Sequence, residues 1–401
     1  MKSIVYKHNI PSKFIKKKIV GFEKLFKNNF DLILNNIDKE TNTFHILSKK
    51  YNFNFIKKEL NKFKKFKQIA IIGMGGSILG SEAIHDFLKH KIKKKIFFID
   101  NLDSEKLSLL SKKNLNKILF IVISKSGETI ETISSLFFLK ILKKNAKNLI
   151  LIAEKTNNTL HSLSRKLNLY FVEHKKYIGG RYSVLSEVGI LPSYLFGLNI
   201  KEMRKNIREH LKSYKINFLK ESVLTLSSLL KNSNKKNIVF LNYSSKLNKF
   251  LFWYQQLIAE SLGKNENGFF PVISETPKDH HSLLQLYLDG PKDKIFYIFS
   301  IKEKKTSSLK INNLTKKSNF LHNRHLNEIK IAQKEALIKS LKKKNIPFRE
   351  IVINVTDEKT IGRLFSYFML ETAMIGKILK INPFDQPAVE EVKNFTRSIL
   401  K

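Results

Sequence analysis

Cysteine is absent from this chain, which removes disulfides, thiolate metal sites, iron–sulfur clusters and cysteine nucleophiles at once. Long apolar runs are missing too. No stretch approaches the roughly 18 residues of a membrane helix. The first twenty residues, MKSIVYKHNIPSKFIKKKIV, scatter lysines where a secretory leader would carry an apolar centre. Membrane insertion and secretion are therefore not expected, and a cytoplasmic location is. Acidic residues are scarce: 34 Asp and Glu stand against 74 Lys and Arg, a net charge of +40. Clustered lysines would point to nucleic acid, because they neutralise phosphates and release counterions. Here they are spread along the whole chain in short runs, such as 93–95 and 342–344, among abundant Asn, Ile and Phe. That mixture is read as an AT-rich coding bias, so a nucleic-acid partner is not expected, although the positive field would attract an anionic substrate.

What is present fits a folded protein. Hydrophobic residues make up 42% and charged residues 27%, and 401 residues at about 150 per domain allow two or three domains. Short apolar runs alternate with helical spacing. Strands are expected at 68–72, 95–100, 117–123, 148–153 and 169–172, with helices at 104–110 and 130–142 between them, the pattern of a doubly wound parallel sheet. A mainly helical stretch covers 187–230. The pattern then returns with strands at 237–242, 294–300 and 350–355, a long apolar helix at 358–379, a turn at INPFDQP (381–387) and a helix from Val389. The expected fold is α/β: two doubly wound parallel-sheet units, 61–190 and 191–380, after an N-terminal helical segment (1–60) and before a C-terminal helical arm (381–401).

Two segments sit at strand-to-helix junctions. In Gly73-Met74-Gly75-Gly76-Ser77-Ile78-Leu79-Gly80, glycines let a ligand approach the backbone at a helix start. A dinucleotide fingerprint would need a third glycine where Ile78 stands, so a tight turn and a phosphate contact remain the two readings. In Ser124-Lys125-Ser126-Gly127-Glu128-Thr129, three hydroxyls, an ammonium and a helix N-terminus converge, which is what a phosphate monoester requires. Helix capping would explain one such residue and not four.

Both segments resemble the sugar isomerase (SIS) domain. Gly179-Gly180-Arg181-Tyr182-Ser183, Gln256 with Glu260-Ser261-Leu262-Gly263-Lys264, His281 in HHSLLQLYLDG and the stretch INPFDQPAVEEVK resemble, in order, the glucose-6-phosphate isomerase family. The resemblance runs from about residue 68 to the end. It departs at Ser126-Gly127 (commonly Thr-Phe), Leu185 (Trp), Leu262 (Asn), His280 (Gln) and Ala388 (Gly); Ser126 retains a hydroxyl, while Leu262 and His280 bear on substrate preference.

The resemblance implies an aldose–ketose isomerase working through a cis-enediolate, without metal or other cofactor. It assigns Glu260 as the base, Arg181 as the enediolate stabiliser, His281 to ring opening and Lys393 to ring opening and the substrate oxygens. Gly76, Ser77, Ser124, Lys125, Ser126 and Thr129 would hold the phosphate. Gln256, one helical turn before Glu260, faces the same way and would bind the sugar or phosphate. It further implies a homodimer in which His281 reaches the partner's site. Rival readings are a bifunctional isomerase also acting on mannose 6-phosphate, and a sugar-phosphate-binding SIS protein without turnover.

Overall fold

The computed structural model describes residues 3–11, 19–212, 218–302, 310–312 and 315–400. Ten strands are found among them: β1 (Ile4–Asn9), β2 (Gln68–Ile72), β3 (Lys95–Ile99), β4 (Ile118–Ile123), β5 (Leu149–Ala153), β6 (Tyr170–Glu173), β7 (Asn237–Asn242), β8 (Phe270–Glu275), β9 (Lys294–Ile301) and β10 (Phe348–Ile353). The strand ILFIVI of β4 and LILIA of β5 are buried at every position. Helices cover both faces of such strands, so their sequences run continuously apolar instead of alternating.

The first sheet is wholly parallel, in the order β3-β2-β4-β5-β6. Its strand order reverses between β2 and β4, and in open α/β sheets ligands bind outside the carboxyl ends of the strands at such a point. The second sheet runs β1-β10-β9-β7-β8, parallel except for β1. The expected α/β class with two parallel-sheet units is thus present, and the second unit also carries an antiparallel edge.

That edge changes the reading of the N-terminus. The first sixty residues are not purely helical: β1 pairs antiparallel with β10, Ile4 opposite Ile353 and Asn9 opposite Phe348. Alternate residues of a strand share one face, and here Ile4 is buried, Tyr6 stacks on Phe218 and Tyr367, and the ring of His8 lies 4.0 Å from that of Phe218. The other strand not expected, β8, forms the opposite edge beside β7. The helix expected to reach residue 142 ends at Phe138, and Lys140 takes a left-handed φ of 51°.

Two helices join the units. Leu79–Leu88, which follows β2, packs along Asn248–Leu262, which follows β7. The long helix Glu358–Ile378 is buried at most of its positions. Inside the second unit an ion pair has been taken fully out of water: Arg349 and Glu371, both 0% exposed, meet at 2.8 Å. Arg349 also donates to the hydroxyls of Tyr297 (2.6 Å) and Tyr367 (2.8 Å), while Tyr254 and Ser222 donate to Glu371. The phenols are held protonated, since burial and the neighbouring carboxylate push the Tyr254 and Tyr367 pKa values well up.

Breaking a buried pair strands the remaining charge and costs about 3–5 kcal/mol. Arg349→Met should therefore lower the urea midpoint of unfolding markedly, with a stability loss in that range. The double variant Arg349→Met/Glu371→Leu, which removes both charges, should lose less than the single one. Equal midpoints for wild type and Arg349→Met would show that the pair contributes nothing.

Candidate active site

The two glycine- and hydroxyl-bearing segments leave the carboxyl ends of β2 and β4, neighbours at the reversal of strand order. The loop after β2 is glycine-rich because backbone from another segment lies directly against it. A Cβ at Gly76 would sit 2.3 Å from the carbonyl carbon of Gly180 and 2.6 Å from the nitrogen of Arg181. Gly75, with φ of +50°, faces the side-chain amide of Gln256, where a Cβ would come within 2.7 Å. The loop thus touches the arginine turn on one side and the helix bearing Gln256 on the other.

In the second segment the hydroxyls of Ser124 and Thr129 share a 2.8 Å hydrogen bond, and the Thr129 N–H approaches Ser124 Oγ at 3.4 Å. Ser126 is exposed, and its Oγ accepts from the N–H of Glu128 at 3.2 Å. Glu128 points elsewhere: it accepts from the N–H and hydroxyl of Thr159, at the start of the helix Thr159–Lys166. Lys125 leans toward Glu154, 3.6 Å away. Burial pulls the Lys125 pKa below the ordinary lysine value, and Glu154 opposes that pull. Beyond Lys125, burial lowers the pKa of His174 to about 4, so this imidazole is neutral at pH 7.

Arg181 is the centre of the other half of the site. Its side chain is 2% exposed. Nε donates to Ser261 Oγ at 2.9 Å, Nη1 to Glu260 Oε2 at 3.2 Å and to Gln386 Oε1 at 2.9 Å, and Nη2 to the carbonyls of Pro383 and Asp385 at 2.8 Å each. Glu260 and Gln256, one turn apart on Asn248–Leu262, face the same way, and Gln256 Nε2 donates to Glu260 Oε1 at 2.9 Å. Each carboxylate oxygen is thereby held by one donor, while 29% of the side chain remains open to solvent. Glu260 borders a cavity of about 830 Å³ walled also by Gly263, Asp385 and Gln386.

Of the residues named from sequence, the structure joins Arg181 and Gln256 through hydrogen bonds that each donates to Glu260, with the Gly75–Gly76 loop against them. His281 and Lys393 are not joined to this cluster within one chain. His281 is exposed in the turn after β8, and its ring makes no hydrogen bond among the described residues. Its neighbour His280 is engaged differently, with Nε2 2.8 Å from the hydroxyl of Tyr243. Lys393 lies on the outer helix Pro387–Ile399 and donates to Glu390 at 2.6 Å. Gln386 was missed. The available signal was an amide side chain in the turn between Pro383 and Pro387, a segment read for its helix-breaking prolines and its family resemblance but not for Gln386 itself.

The sequence profile of phosphoglucose isomerase matches residues 56–401, most of the chain. The chain belongs to the phosphoglucose isomerase family. Its relatives include a probable glucose-6-phosphate isomerase of Methanococcus maripaludis, 36% identical over 357 residues that cover 85% of this chain and 81% of the relative. The glucose-6-phosphate isomerase of Methanocaldococcus jannaschii is 33% identical over 353 residues, covering 85% and 87%. The crystal structure of a glucose-6-phosphate isomerase from Chlamydia trachomatis superposes with a TM-score of 0.78 at 18% identity, covering 99% of this chain and 88% of that one, which bears on the fold alone. As a phosphoglucose isomerase family member the protein is an enzyme of the aldose–ketose isomerase class. Among the described residues no helix is long and apolar enough to cross a membrane.

The packing of the loop after β2 makes a direct prediction. Gly76→Ala forces the loop and the Gly180–Arg181 turn apart, and a displacement near 1 Å at a catalytic site costs about 10²-fold in rate. Steady-state assays of isomerisation should show that order of loss, whereas turnover within about twofold of wild type would show that the two segments move freely.

Proposed function

We propose that this phosphoglucose isomerase family member interconverts glucose 6-phosphate and fructose 6-phosphate, with Glu260 as the base. The observation that carries the reading is the Gln256–Glu260–Arg181 chain of hydrogen bonds, which holds a partly solvent-open carboxylate in a fixed orientation against a buried guanidinium. The phosphate would rest against Gly76, Ser77, Ser124, Lys125, Ser126 and Thr129, at the carboxyl ends of β2 and β4. Bound there, an open-chain aldose sugar phosphate gives up its C2 proton to Glu260. The electron pair forms the C1–C2 double bond, and the carbonyl oxygen becomes the enediolate oxyanion facing Arg181. Return of the proton to C1, with proton transfer from the C2 hydroxyl to the O1 oxyanion, leaves the ketose. Ring opening before this step requires a proton on the ring oxygen, the role assigned to His281, with Lys393 contacting substrate oxygens.

The position of those two residues supports a homodimer. His281 is exposed and unengaged, and Lys393 lies on a helix whose apolar residues Val389, Val392, Phe395 and Ile399 all face solvent. A second copy would cover that stripe and bring His281 to the neighbouring Glu260.

Glu260→Gln should retain sugar-phosphate binding by calorimetry while isomerisation falls by roughly 10²–10⁴-fold, the usual worth of a positioned base; near-normal turnover would remove Glu260 from the mechanism. Mixing inactive Glu260→Gln with inactive His281→Ala, after dissociation and reassociation, should restore about a quarter of wild-type activity, because half the dimers then carry one intact site. No recovery from a demonstrably mixed dimer would place His281 within its own chain's site.

Lys125 adds a pH dependence. Its folded-state pKa lies below the ordinary value, so its charge is lost as pH rises through that lowered pKa. Glu154 works in the opposite direction, and Glu154→Gln should move the loss to lower pH by about one unit. The alkaline rise in KM for the phosphosugar should begin correspondingly earlier in that variant; an unchanged profile would show that Lys125 does not meet the phosphate.

A further inference from the structure

The lysines are evenly spread along the sequence, and the fold gathers them unevenly. All five strands of the first sheet are parallel, so their amino ends lie together on the side away from the phosphate-binding segments. At that end is a trough of about 680 Å³ whose walls include Lys65, Lys67, Lys117, Lys143, Lys144 and Lys147. No carboxylate lines it; its other polar groups are amides such as Gln68, Asn116 and Asn148. A second trough of about 530 Å³ continues it through the shared Lys65 and Lys147 and adds Lys62 and Tyr170. Among the described residues, none of these trough lysines lies in an ion pair with a carboxylate. Nearby, Lys94 has its pKa lowered by burial and then by Lys64.

A general excess of lysine does not account for this arrangement. At the amino end of the second sheet, in the same chain, Lys294 at the start of β9 is paired with Asp293 at 2.6 Å. Nor do helix dipoles account for it. Lys112 and Lys166 sit in the last turns or caps of helices, where cations are favoured, and Lys62 and Lys117 lie only in single-turn 3-10 helices with little dipole, whereas Lys65, Lys67 and Lys147 precede strands. Uncompensated ammonium groups facing one concavity repel one another, and a polyanion laid along it relieves that repulsion and releases counterions.

We propose that this double trough binds single-stranded nucleic acid, independently of the isomerase site at the opposite ends of the same strands. The two concavities share Lys65 and Lys147 and so form one track along which a phosphodiester backbone can lie. The half-buried ring of Tyr170 lines the second trough, packed against Phe63 with Lys62 Nζ 4.7 Å from its centroid and its hydroxyl donating to Glu59 at 3.0 Å; an aromatic ring beside a cationic track is the combination used to hold unpaired bases.

The experiment is fluorescence anisotropy of the full chain with a labelled oligonucleotide of about 12 nucleotides, titrated at several salt concentrations. Three variants accompany wild type. One replaces Lys65, Lys117, Lys144 and Lys147 with Gln, one replaces the same four with Arg, and one replaces Lys339, Lys342, Lys343 and Lys344, exposed in the second unit, with Gln. The trough Gln variant should bind at least about tenfold more weakly, and its log–log salt slope should be shallower by about 3, since each neutralised phosphate of a single strand contributes about 0.7. The Arg variant and the second-unit variant should stay within about twofold of wild type, and all should keep isomerase turnover, showing that the fold is intact. Equal weakening by both Gln variants, tighter binding to a duplex of the same sequence, or no binding by wild type would each overturn the proposal.

Discussion

A guanidinium carries five N–H donors in one plane, and in Arg181 all five are engaged. Their acceptors come from two distant parts of the chain: Glu260 and Ser261 at the end of one helix, and the Gln386 side chain with the carbonyls of Pro383 and Asp385 in the C-terminal turn. Burying an arginine without such partners would be prohibitive, and a lysine could not reproduce the planar fork. The C-terminal turn and the helix bearing Glu260 are therefore fixed relative to each other by one side chain from the first unit. The same interaction constrains the chemistry. On the proposed mechanism an incoming oxyanion would take over part of a hydrogen-bond set that is already complete, and the longest of the five bonds, 3.2 Å, is the one to Glu260. On that proposal, structural closure and electrophilic assistance share one group.

The strands of the first sheet were legible because strands covered on both faces are written as unbroken Ile, Leu, Val and Phe, bounded by Gly or polar residues. The two missed strands have no such signature. In β8 the run is short and contains Pro271, a residue confined to sheet edges, bulges or strand starts. In β1, IVYKHN carries Lys7 and His8, and only pairing with residues near the other end of the chain makes it a strand. The candidate site shows the same division. Gln256 and Glu260 share a helical face by spacing alone, and the glycine loop announces a close approach. That Gly76 meets Gly180, that Glu128 turns away to cap another helix, and that Gln386 reaches Arg181 are facts of tertiary packing without local spelling. The positions of His281 and Lys393, apart from the cluster in one chain, likewise follow from where their elements end.

The first sheet also has an electrical polarity that composition conceals. At the carboxyl ends of its strands, positive charge includes Lys155, Lys175 and Lys176, but within the candidate site it is shared: Lys125 leans on Glu154, and Arg181 on Glu260. At the amino ends it is dense and unshared. Charge density at the reacting centre is governed by hydrogen-bonded pairing, so the chain's large net charge bears on that centre mainly as a distant field.

The antiparallel edge strand has a consequence for biosynthesis. Lys7 on β1 meets Glu350 on β10, 343 residues further along. At typical elongation rates the first strand leaves the ribosome tens of seconds before its partner exists. The first unit can fold as it emerges, but the second sheet is completed only near the end of translation. On a crowded polysome, the waiting β1 of one nascent chain faces the newly exposed β10 of another, and the exchange of these strands between copies is the misassembly to which this topology is most open.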